Sequence, residues 1–159
     1  MPAINPRFYN RTSEYKEMMV AASKNNETND CAVRAVSVAT DTPYETVLDL
    51  LARMGRLSRK GTRTSIIERA VKLLGYRMEF VPDNHFIRQY PKAHQILKSV
   101  TTHHADRFNK VWADGNTYLM YTTGHILCIK DGVNHDWTRG RACRSQGIYR
   151  IVKDKVDQY

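Results

Sequence analysis

The chain has 159 residues, 42% hydrophobic and 26% charged, the size and balance of one globular domain (1–159) able to bury a core, with neither repeats nor low-complexity tracts. Its 25 Lys and Arg against 16 Asp and Glu leave +9, which suits an acidic partner without choosing among nucleic acid, an anionic envelope polymer and an acidic protein. No stretch approaches the ~18 uncharged apolar residues of a membrane-spanning helix, and Met1–Arg7 lacks the apolar segment of a signal peptide, so the expectation is a soluble, cytoplasmic protein with no membrane insertion.

Residues 1–10 carry two prolines and no periodicity and read as a flexible arm. Ser13 is placed to cap a helix through about Ser23, with Met18, Met19 and Ala22 on one stripe. The polar run from Lys24 to Asp30 ends abruptly at Cys31, where CAVRAVSVA begins. That run is small and apolar almost throughout, which predicts a helix over Cys31–Ala39 buried on most of its circumference and capped by Asn29 or Asp30. Thr42 and Pro43 are a cap and a first-turn proline for a helix with stripe Val47, Leu48, Leu51 and Met54, stopped by Gly55. Thr64 or Ser65 opens another helix that Gly75 ends, and Tyr76–Val81 reads as a strand. Between Pro82 and Asp114 two helical turns are expected around Ala93–Val100, with His103 and His104 in a loop or helix end.

The last third changes character. Asn116–Thr122 and Gly124–Lys130 read as strands. Asp131-Gly132 is a strong two-residue hairpin signal that returns Val133–Trp137 antiparallel, and Gly147–Lys153 is a final strand. Helices first and a meander of strands last imply an α+β fold, with N-terminal helices packed on a C-terminal antiparallel sheet.

The hairpin register carries the chemistry. A two-residue turn sets Lys130 opposite Val133, Ile129 opposite Asn134 and Leu127 opposite Asp136, so His125, Leu127, Asn134 and Asp136 share one face and His135 takes the other. His125 and Asp136 are then diagonal neighbours at roughly 7 Å between backbones, close enough for a carboxylate and an imidazole to meet. Asp136 is the expected orienter and Asn134 the fallback. A thiol at a helix start sits among free N–H groups and partial positive charge, which favour the thiolate and also hold an oxyanion. Cys31 opens the one helix of this kind, giving a nucleophile, base and orienter in the order Cys31, His125, Asp136. Cys128 falls on the strand face opposite His125 and Cys143 lies in an arginine-rich loop, so both read as structural. Three cysteines without CxxC spacing indicate neither a disulfide framework nor a zinc knuckle, and no spacing supports metal binding by His103, His104 and His135.

Thr28-Asn29-Asp30-Cys31-Ala32-Val33-Arg34-Ala35 resembles the nucleophile motif of papain-like cysteine peptidases, especially that of bacteriocin-processing peptidase domains. Gly124–Asp136 resembles the histidine strand, turn and aspartate strand of the same superfamily. The resemblance implies a papain-like fold and a thiol protease or amidase without cofactor, acting on a protein or peptide substrate; small phage-encoded proteins of this length carry such a pair, which would place it in the host cytoplasm. A Gln six places before the nucleophile helps form the oxyanion hole in those families, and the matching position is Asn25, with Asn26 or Asn29 as alternatives. Ala32 stands where Gly usually follows the nucleophile.

Arg53, Arg56, Arg59, Lys60 and Arg63 form the densest basic segment, and Arg139, Arg141 and Arg144 a second. Arg56, Arg59 and Lys60 are the expected recruiters of an acidic substrate. The alternative is a catalytically idle papain-like module that binds an acidic protein or nucleic acid. That reading leaves the phased His125 and Asp136 unexplained, and the basic segment lacks the interleaved aromatics of a single-strand binder.

Overall fold

In a computed structural model of the chain, residues 12–82, 115–122, 124–136 and 145–154 are described. The N-terminal arm, the expected turns over Ala93–Val100, His103, His104, Cys143 and the Arg139, Arg141 and Arg144 group lie outside them.

The fold is α+β. Among the described residues four helices, α1 (Ser13–Lys24), α2 (Cys31–Ala39), α3 (Tyr44–Arg53) and α4 (Thr64–Leu73), precede strands β1 (Tyr76–Phe80), β2 (Thr117–Thr122), β3 (His125–Lys130), β4 (Val133–Asn134) and β5 (Ser145–Lys153). The sheet runs in the order β1-β5-β2-β3-β4, with every described pairing antiparallel, so the last strand is inserted between the first and second.

Helix limits follow local chemistry. Thr12, not Ser13, caps α1: its extended backbone (φ −71°, ψ 161°) turns Oγ1 back to accept the Tyr15 N–H at 3.2 Å. Pro43 sits at the N-cap of α3 rather than one place inside it, because its ψ of 143° is extended. Gly55 (φ 112°) and Gly75 (φ 90°) follow the ends of α3 and α4 in left-handed conformations that a side chain disfavours.

Helix α2 is buried along Ala32, Val33 and Ala35–Ala39, and Cys31 and Arg34 alone in it are partly exposed. It packs on β3 and β2. Strand alternation gives the helix-facing side Leu119, Ile126, Cys128 and Ile151, which join Val33, Val36, Leu51, Ile67 and Val71 in one core cluster. On the opposite face Tyr118, Met120, Leu127 and Ile129 are also fully buried. Both sides of β2 and β3 are thus removed from water, which accounts for their near-continuous apolar sequences. Among the described residues, no helix is long and apolar enough to cross a membrane.

Candidate active site

The Asp131-Gly132 turn has both residues at positive φ (48° and 79°), the geometry of a type I′ hairpin. It pairs Lys130 with Val133 and Ile129 with Asn134, the register expected from the sequence. Strand β4 stops at Asn134 instead of reaching Trp137, but the His135 N–H still donates to the Cys128 carbonyl at 3.0 Å, so the phase carries on to Asp136. There Nε2 of His125 lies 2.7 Å from Oδ2 of Asp136, both side chains nearly buried (12% and 4% exposed). His135 points to the other face, with Nδ1 3.0 Å from Oγ1 of Thr12 and 3.6 Å from Glu14, and ties the hairpin to α1.

Cys31, at the first position of α2, lines the same hollow as His125 and bears on the charge of its ring. Burial works against a charge on His125, yet the hydrogen bond to Asp136 and the negative charge of Asp136 and Cys31 outweigh it and raise the imidazole to about 10. Cys128 is fully buried, and that burial pushes its thiol up to about 12, leaving it inert beside the partly exposed Cys31.

The start of α2 is held from behind. Asp30 occupies the N-cap position but makes no side-chain capping bond. Its buried carboxylate instead accepts the Tyr44 hydroxyl at 2.7 Å and the Arg34 Nε–H at 2.9 Å, and the Arg34 guanidinium lies 5.0 Å from the centre of the Tyr15 ring. Residues from α1, α2 and α3 therefore fix the residue before the thiol, while the first-turn N–H groups of α2 are left uncapped by it. The spacing Asp30–Arg34, one helical turn apart, was the sequence signal for this anchor, which reading Asp30 only as a cap misses.

Two expected residues are placed elsewhere. The Asn25 amide donates to the Ala21 carbonyl at 2.8 Å and to Glu45 at 3.4 Å, and it lines a hollow separate from the one lined by Cys31. Asn25 follows the last turn of α1, so its side chain folds back on that turn rather than toward the thiol. Asn29 is likewise committed, donating to the Arg59 carbonyl at 3.1 Å. Arg56 is not a surface recruiter: its side chain is 1% exposed and its Nη2 donates to Glu27 at 3.0 Å. Glu27 also accepts from the Arg59 N–H at 3.0 Å and from Ser58 at 3.2 Å. Burial opposes the Glu27 charge, but these donors hold its carboxyl below the usual range. Arg59 and Lys60 are exposed.

Cys31 and His125 open onto a hollow of about 480 Å³ whose far wall is Thr62, Arg63, Thr64 and Tyr121. Sequence reading put Arg63 in the basic segment and Thr64 at a helix start but none of the four at the site. A larger hollow of about 610 Å³ lies toward the other end of α2, lined by Glu14, Asp41 and Lys130 among others, and includes none of Cys31, His125 and Asp136. Among the described residues no cluster of His, Cys, Asp and Glu is arranged to hold a metal ion. Comparison with protein-family models, with curated proteins and with solved structures found no match.

Proposed function

We propose that this protein is a papain-like cysteine hydrolase, a peptidase or amidase that cleaves an amide bond through Cys31, His125 and Asp136. The observation that carries the reading is the imidazole itself: His125 meets a buried carboxylate at 2.7 Å through Nε2 and lines one hollow with the helix-start thiol. Bland packing does not require a buried imidazole between a thiol and a carboxylate.

In the reaction, the Cys31 sulfur attacks the carbonyl carbon as thiolate, with His125 charged beside it. The oxyanion forms against the Cys31 N–H and the uncapped start of α2, and Asn25 is left out of that role. Collapse breaks the C–N bond, and His125 gives its proton to the departing amine. His125 then takes a proton from the water that attacks the thioester, and loss of the acid restores the starting pair. Asp136 holds the ring and stabilises its charge throughout.

Alkylation of the intact protein by iodoacetamide at pH 6, read by peptide mass spectrometry, tests this. Labelling concentrated at Cys31 and sharply reduced by His125→Ala supports the reading. Labelling of Cys31 no faster than an ordinary thiol, or indifferent to His125→Ala, sinks it in favour of an idle binding module.

A further inference from the structure

The hollow beside the reactive pair has a charge of its own. Among its described lining residues are Arg63 and the hydroxyls of Thr62, Thr64 and Tyr121, and there is no carboxylate. Two helix starts open onto it: Cys31 and Ala32 of α2, and Thr64 of α4, whose N-cap Arg63 makes no side-chain capping bond. Each contributes the positive end of a helix dipole. The carboxylate that bears on this wall is Glu68, one turn further along α4, which acts on Tyr121 without lining the hollow. Independently of the helix starts, Oγ1 of Thr62 and the Tyr121 hydroxyl are buried without a hydrogen-bond partner. Both oxygens are closed to solvent as they stand, so an acceptor in the hollow reaches them only with a small shift of these side chains, and meeting them returns the roughly 1–3 kcal/mol that an unmet buried hydroxyl costs.

We propose that this hollow is the specificity pocket for an acidic side chain, glutamate before aspartate, next to the bond that Cys31 cleaves. The inference rests on the hydrolase reading and names its substrate class. Arg63 pairs with the carboxylate, the α4 start and Thr62 supply further donors, and Ile67 and Ile126 give the methylenes of glutamate an apolar floor. Glycine at 61 and 124 keeps the walls free of side-chain bulk. The basic segment thereby acquires a local role at Arg63, where the sequence suggested Arg56, Arg59 and Lys60.

Three matched electrophiles test it: the N-chloroacetyl amides of glutamate, glutamine and lysine, each of which alkylates the Cys31 sulfur at the chloroacetyl carbon with loss of chloride. Rates are divided by the iodoacetamide rate of the same variant, which removes differences in the thiol itself. Glutamate is expected to exceed glutamine by about tenfold, the worth of one charge-assisted contact, with lysine slowest. The preference should persist at about 0.5 M salt, where the long-range field of the +9 chain is screened. Arg63→Gln should abolish it. Thr62→Val should lower it while raising the melting temperature, a combination that a merely structural threonine would not give.

Equal glutamate and glutamine rates, a preference that vanishes with salt, or one that survives both Arg63→Gln and Thr62→Val overturns the pocket assignment. Each of those results leaves the hydrolase reading intact if Cys31 remains the favoured iodoacetamide target. A Cys31 inert to iodoacetamide overturns both.

Discussion

The 2.7 Å contact between His125 Nε2 and Asp136 Oδ2 spans a hairpin whose second strand has already ended. The pairing therefore depends on a phase fixed at the Asp131-Gly132 turn and relayed by the His135 N–H bond to Cys128. Asp136→Asn keeps an acceptor oxygen but loses the charge, whereas Asp136→Ala loses both. Activity toward iodoacetamide and any amide substrate should fall in the order wild type, Asn, Ala, the last by about 10²–10⁴-fold, with circular dichroism unchanged. Equal activity of all three would show that Asp136 does not orient the ring.

The raised imidazole has a pH signature. A group whose folded value lies above its unfolded one adds stability that is complete below the unfolded value of 6.5 and is lost as pH climbs through about 10. Denaturant midpoints should decline across that window, and His125→Ala should remove this part of the decline. Ring-proton NMR provides the direct check: His125 should remain charged at pH 8, and a midpoint near 6.5 would contradict the geometry.

Arg56 and its neighbours separate structure from charge. The Arg56–Glu27 pair is buried (1% and 6% exposed), so Arg56→Ser leaves Glu27 short of its main partner and should cost about 3–5 kcal/mol in a denaturation experiment. Arg59→Ser and Lys60→Ser, both exposed, should stay within about 0.5 kcal/mol of wild type. A mild Arg56→Ser would mean that the pair is replaceable.

What was legible in the sequence was local. Nine residues between a polar run and Thr40, small and apolar but for Arg34 and Ser37, delimit α2, and one Asp-Gly pair between β-branched strands fixes the face of every residue around it. What was not legible depends on partners far along the chain. The burial of Arg56 needs Glu27, 29 residues earlier, and Asn25, folded back on the Ala21 carbonyl, meets Glu45 20 residues later. Motif spacing placed Asn25 six positions before the thiol, but spacing along the chain does not set side-chain direction after a helix end. The hollow is of the same kind, since Thr62 and Arg63 ahead of α4 meet Tyr121 of β2 only in three dimensions.

If the turn sets the triad, weakening it should reach the site without touching it. Gly132 has φ 79°, which a side chain adopts only with strain, and Asp131 Oδ1 additionally accepts the Gly115 N–H at 3.0 Å. Gly132→Ala should therefore cost about 1 kcal/mol through the strained backbone. Its effect on iodoacetamide labelling of Cys31 should exceed that of a control with similar destabilisation away from the hairpin, such as Gly75→Ala at the end of α4, where φ is 90°. Matching both variants by melting temperature isolates register from stability. Parallel losses in the two would show that Asp136 finds His125 without help from the turn, and that the hairpin is a scaffold with no hold on the chemistry.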